Sequence, residues 1–153
     1  MRFSRVTPEK LEKYRLPFIR FAAQHGEKRI TDSAIAWLKT VQPEQLADKG
    51  SEMIAASIGG KLAAISCVAH YGNEAAFYVV HPAYRRRGIG KRLLSLHLSR
   101  LGRYRCAVAA DNQPSLRLCQ SCGLKPVWQY NNSRGKRIIV LEGESVWPAP
   151  RLE

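Results

Sequence analysis

Residues 74–101, EAAFYVVHPAYRRRGIGKRLLSLHLSRL, constrain this chain more than any other stretch. Ala75 to Val80 is an apolar, aromatic and β-branched run with the length and composition of a buried strand. His81-Pro82 ends it, because proline has no N–H to give to a ladder. Arg85-Arg86-Arg87-Gly88-Ile89-Gly90 follows, and then apolar residues at Ile89, Leu93, Leu94, Leu96, Leu98 and Leu101. With Lys91, Arg92, Ser95 and Ser99 between them, these positions make an amphipathic helix. The segment reads as strand, basic glycine turn, helix.

Such a unit suits a phosphate. A helix start offers unpaired N–H groups and a partial positive charge. Gly88 and Gly90 let the backbone turn sharply and approach a ligand closely. Three arginines add charge that matches phosphate oxygens, and together these parts form an anion cradle. The formal charge of the 153 residues is +13, and residues 75–110 hold eight Lys or Arg and no acidic residue. That field fits a small polyanion or a nucleic acid, and charge alone does not separate them.

The length points to one domain, residues 1–153, with a core of its own. Arg2 to Val6 reads as a first strand. Thr7-Pro8-Glu9 starts a helix, with Thr7 as cap, and Pro17 should kink or divide it. A second helix starts at Thr31-Asp32 and ends before Pro43, and residues 42–51 read as a loop. Met53 to Ile58, Gly59-Gly60 and Lys61 to Ala69 form a hairpin. Tyr71-Gly72-Asn73 turns into the strand of residues 75–80. After the basic-turn helix come a strand from Tyr104 to Ala110 and a helix from Pro114 to Cys122, which Gly123 closes. Lys125 to Tyr130 and Lys136 to Leu141 pair as a last hairpin, and residues 146–153 read as a tail.

Arg85-x-x-Gly88-x-Gly90, led in by Val80-His81-Pro82-Ala83-Tyr84, resembles the Q/R-x-x-G-x-G/A signature of the GNAT superfamily of N-acetyltransferases. Asn112-Gln-Pro-Ser115-Leu-Arg-Leu118-Cys119-Gln-Ser-Cys-Gly123-Leu124 is similar to the family's second motif, N-x-x-A/S-x-x-L-Y-x-x-x-G-F. The order β-α-α-β-β-β-α-β-α-β-β is also that of the family. The resemblance implies an α/β fold with a mixed, mostly antiparallel central sheet and helices on both faces. It implies acetyl- or acyl-coenzyme A as co-substrate and an amine-bearing acceptor. Phosphates would lie on Arg85, Arg86, Arg87, Gly88, Ile89, Gly90 and Lys91, the pantetheine beside Tyr78, Val79 and Val80, and Asn112 on its arm. A backbone N–H near Val79 or Val80 would polarise the thioester carbonyl.

The resemblance is thinner at the chemistry. The family's tyrosine, which protonates the departing thiolate, falls at Cys119, a residue that serves equally well as small core filling. Tyr78 and Tyr130 are other proton donors. Glu74 stands four residues before Tyr78, a spacing similar to the catalytic glutamate of the histone-acetyltransferase branch. Apolar strand neighbours would raise its pKa toward that of a general base. A solvated acid after a turn is the plainer reading of the same residue. His70 and Tyr71 are weaker candidates, and His81 reads as structural.

Cys119-x-x-Cys122 has no second pair or histidine to complete a metal site, so no metal is expected. Phe18, Phe21 and Trp37 read as core. No apolar run reaches membrane-spanning length, Met1-Arg2-Phe3-Ser4-Arg5 leads into no signal-peptide core, and the expectation is a cytoplasmic protein with its four cysteines reduced. A coenzyme-binding regulator without turnover is the alternative that the missing tyrosine favours. A nucleic-acid-binding module, favoured by charge, is the weaker one, since no helix-turn-helix spacing or aromatic ladder accompanies it. A homodimer is left open.

Overall fold

The computed structural model describes residues 1–26, 30–145 and Leu152. Its elements are β1 (Arg2–Arg5), α1 (Pro8–His25), α2 (Asp32–Thr40), β2 (Glu52–Ile58), β3 (Lys61–Ala69), β4 (Ala75–Val80), α3 (Ile89–Leu101), β5 (Arg103–Ala109), α4 (Gln113–Ser121), β6 (Lys125–Asn131) and β7 (Arg137–Glu144). This is the order read from the sequence. The tail expected over residues 146–153 lies outside the described residues except at Leu152, which packs against the apolar cluster beneath α3.

Local chemistry accounts for the helix boundaries. Thr7 Oγ1 accepts from Lys10 N–H at 3.2 Å, and Thr31 Oγ1 accepts from Ala34 N–H at 3.1 Å. As expected from Pro17, α1 is kinked: Tyr14, nearly one turn ahead of the proline, leaves helical geometry at φ −113°, ψ 15°. That is the position where a proline ring crowds the preceding turn. The polar stretch 42–51 is more ordered than a loop. It holds a 3-10 turn over Pro43–Ala47, closed by Gln45 Oε1 accepting from Gln42 N–H at 2.7 Å, and it buries Leu46.

The strands form two antiparallel sheets, β1-β2-β3-β4 and β5-β7-β6. β4 and β5 stay neighbours and are joined through α3, the crossover that parallel strands require, but no ladder links them among the described residues. The central sheet is therefore split at one seam. Alternation along β4 sorts its side chains: Phe77 and Val79 pack with α1 and α2 residues, whereas Tyr78 and Val80 pack under α3. The first cluster includes Leu11, Phe18, Phe21, Leu38, Met53 and Ile65, with Trp37 against it. A further cluster, including Leu94, Leu98, Cys106, Cys119, Leu124 and Leu141, fills the space between the second sheet, α3 and α4. Helices thus cover both faces, and the seam between β4 and β5 lies at the centre. No helix among the described residues is long and apolar enough to cross a membrane.

Candidate functional site at the split between the sheets

Three elements end at one place. The close of β4, the start of α3 and the start of α4 meet around Tyr78, whose hydroxyl lies 3.1 Å from Ser115 Oγ of α4. A Cβ on Gly90 would stand 2.9 Å from Leu118 Cδ1 and 3.2 Å from Tyr78 Cε2, so a glycine there lets the three elements close. Asn112 caps α4, its Oδ1 accepting from Ser115 N–H at 3.4 Å. Both sequence motifs therefore lie against each other.

The basic turn is shaped for an anion. Arg86 (φ 63°) and Gly88 (φ 75°) both take left-handed conformations. Such turns in succession direct N–H groups into a shared concavity. The first helical hydrogen bond of α3 runs from Arg92 N–H to Gly88 O at 3.0 Å, so Ile89, Gly90 and Lys91 have no helical carbonyl behind their N–H groups. The helix dipole adds positive potential at the same point. Around it stand Arg86, Arg87 and Lys91, with the Arg87 guanidinium 5.5 Å from the Tyr84 ring.

The edge of β4 beside the seam carries the second half of the site. His81 N–H donates to Ala63 O at 2.8 Å, which marks their opposed positions as a hydrogen-bonded pair. With the register Val80↔Ala64, Val79↔Ile65 and Tyr78↔Ser66, alternation turns the backbone groups of Val79 toward β3 and those of Tyr78 and Val80 toward the seam. Of the two residues, it is the N–H of Val80, not that of Val79, that faces the seam. At the other end of the seam, the start of β5 is pressed on the turn before β4: Gly72 lies so close to the Arg105 carbonyl that no Cβ would fit. The strands are pinned at their starts and have no ladder beyond among the described residues.

The expected catalytic residues are placed less uniformly. Glu74 is half exposed and sits 3.0 Å from His70 Nε2, not in apolar surroundings. His70 and Tyr71 hold left-handed φ values of 50° and 61°, so this turn is strained. Four strand residues, roughly 13 Å, separate Glu74 from Tyr78. Cys119 is buried, and its Sγ lies 3.7 Å from Cys106 Sγ among the residues of the α3–α4 cluster. The contact with Cys119 and then burial push the Cys106 thiol up, and the same contact pulls Cys119 down against burial. Tyr130 is exposed on β6 beside Trp128. His81 Nδ1 accepts from Ala83 N–H at 3.0 Å, a structural role. Cys122 faces Ser95 instead of Cys119.

Arg85, expected beside the phosphates, also makes contacts to the backbone. Its Nε donates to Val80 O at 3.1 Å and its Nη2 to His25 O at 2.8 Å, so its guanidinium ties backbone to backbone. A buried polar chain was also missed. His97 of α3 lies 2.7 Å from Ser66 Oγ and 2.9 Å from Glu52 Oε1, and Glu52 Oε2 accepts from Arg100 Nε at 2.9 Å. The available sequence signal was a histidine between Leu96 and Leu98 on the apolar face of a helix.

Residues 15–124 match the model of the acetyltransferase (GNAT) family. A mycothiol acetyltransferase of Saccharomonospora viridis is 35% identical over 85 residues, which is 54% of this chain and 25% of that protein. The chain thus spans about a quarter of that relative's length. Among solved structures, the ribosomal-protein-S18-alanine N-acetyltransferase of Escherichia coli superposes with a TM-score of 0.70 at 17% identity, covering 99% of this chain and 97% of its own. The yncA protein of Salmonella typhimurium, solved with its cofactor acetyl-CoA, gives 0.66 at 18% identity, covering 99% and 98%.

Proposed function

The chain belongs to the GNAT acetyltransferase family, and from that premise we propose that it moves an acetyl group from acetyl-CoA to a primary amine by direct attack within a ternary complex. The observation that carries this reading is the cradle at the start of α3, where three helix-start N–H groups without helical acceptors lie in the turn that bears Arg86, Arg87 and Lys91, next to the end of β4. Acetyl-CoA is not part of the structure, but the residues present fit it. The N–H groups of Ile89, Gly90 and Lys91 would take the pyrophosphate, Asn112 and the Tyr78–Val80 edge the pantetheine. When bound, the coenzyme supplies the activated acetyl group.

The Val80 N–H then serves as oxyanion donor for the thioester carbonyl. Glu74 takes the ammonium proton through water, since its distance along the strand is too great for direct transfer. His70 holds its carboxylate in place. Binding both reactants in line supplies much of the rate, and no covalent intermediate is required.

Calorimetric titration with acetyl-CoA, followed by thiol release over a panel of primary amines, tests the reading. Saturable binding with thiol release is expected, and failure to bind acetyl-CoA would overturn it. The burial of Cys119 favours a second reading, a coenzyme-binding protein without turnover. Binding with no thiol release from any amine would select it.

Glu74→Gln is expected to lower turnover at neutral pH by about tenfold or more, with acetyl-CoA affinity unchanged. Full activity in the glutamine variant would remove Glu74 from the mechanism.

A further inference from the structure

The first arginine of the phosphate-loop motif has a different occupation from its neighbours. Its Nε and Nη2 reach the carbonyl of the last residue of β4, Val80, and the carbonyl of the last residue of α1, His25, sixty positions away in sequence. The last carbonyls of a helix have no helical donor and lie at the negative end of its dipole, so a guanidinium there satisfies both needs. A planar fork holds its donors in fixed directions toward two separate carbonyls, whereas a lysine ammonium is a compact charge with freely rotating donors.

Side chains extend the same junction. The Phe21 and His25 rings are 4.9 Å apart, His25 and His81 4.3 Å, and His81 and Tyr84 5.5 Å. His81 is itself fixed by Ala83 N–H. An unbroken row of contacts therefore runs from the end of α1 to the turn that leads into the cradle. α1 belongs to the opposite face of the first sheet, where Phe18 and Phe21 pack in the cluster that includes Val79.

We infer that Arg85 is a positioning residue and not a phosphate ligand: it clamps the end of α1 to the coenzyme loop, so that ordering the loop also orders α1. The inference rests on the reading of the cradle as the coenzyme site. It makes the two faces of the catalytic cleft mechanically one. Coenzyme bound on the α3 side would steady the α1 end on the other, before any acceptor arrives.

Hydrogen exchange on the full chain and on Arg85→Gln and Arg85→Lys, with and without acetyl-CoA, tests this. In the free proteins, amides of residues 21–26 should exchange about tenfold faster in both variants, the scale of a lost hydrogen bond from a charged group. Acetyl-CoA affinity should stay within about threefold, since the N–H groups of the cradle are untouched. Added acetyl-CoA should slow exchange at residues 86–91 in all three proteins, and at residues 21–26 only in the unaltered chain. The inference is overturned by unchanged exchange at residues 21–26 in the free variants. It is also overturned if Gln loses more than about tenfold in affinity while Lys retains it, the behaviour of a phosphate ligand. An unaltered chain that fails to bind acetyl-CoA would refute the functional reading instead, and the exchange comparison in the free proteins would still decide the clamp.

Discussion

Gly88→Val should abolish measurable acetyl-CoA binding, a loss of at least about a hundredfold, while the chain remains folded. Gly88 has φ 75°, and a Cβ added there meets nothing within 4 Å. The substitution therefore costs nothing in packing. Its cost is conformational, about 1–2 kcal/mol for holding an L-residue left-handed and more for a β-branched one. The turn relieves that strain by rotating toward negative φ, which swings the N–H groups of Ile89 and Gly90 out of their shared concavity. The added side chain also points into the open space where phosphates would approach. Gly90→Val should lose binding for another reason, because its side chain would drive into Leu118 and Tyr78 and separate the three elements of the site. The two variants should differ in thermal stability: Gly88→Val a few degrees below the unaltered chain, Gly90→Val markedly lower. Titration calorimetry with acetyl-CoA and a melting curve on each would check this. Binding within about threefold in Gly88→Val would end the assignment of the loop.

The parts of the fold that follow from local chemistry were legible in the sequence. Ala75–Val80 was bounded by its own composition and by Pro82, and α3 by the glycine at its start and the spacing of its leucines. The parts that were not legible depend on distant partners. The seam between β4 and β5 leaves no local mark, because both strands are apolar runs and only the absence of a ladder distinguishes them. Arg85 reads as a phosphate ligand from its charge and place in the motif, and nothing local shows its contact with the His25 carbonyl at the end of α1, sixty positions earlier. Cys119 aligned with a proton donor, but motif spacing says nothing about which way a helix turns that position, and here it faces Cys106. His97 was invisible for the same reason. Between two leucines it looks like part of an apolar stripe, and its meaning comes from Glu52, forty-five positions earlier.

That buried chain yields the second large expectation. Glu52→Ala should cost about 3–5 kcal/mol, because it leaves Arg100 and His97 facing an empty, water-poor site without their shared acceptor. For a chain of this size the melting temperature should fall by roughly 10 °C. Burial pushes the Glu52 carboxyl up, but hydrogen bonds and charge from His97 and Arg100 outweigh it and hold the pKa below the usual value. A depressed folded-state pKa means that the stabilisation is complete above the ordinary carboxylate range and is lost as pH falls through the folded pKa. The unaltered chain should therefore lose stability over the acid range below about pH 4.5, and Glu52→Ala should lose less over that interval. A triple apolar replacement, Glu52→Leu with His97→Leu and Arg100→Leu, separates net contribution from the penalty of a broken network. If the chain acts mainly to fix α3 against β2 and β3, the triple variant should recover most of the melting temperature and yet bind acetyl-CoA more weakly. Denaturant unfolding at pH 4 and pH 7 together with calorimetry would measure both. Equal stability of Glu52→Ala and the unaltered chain at pH 7 would show that the four side chains hold nothing together.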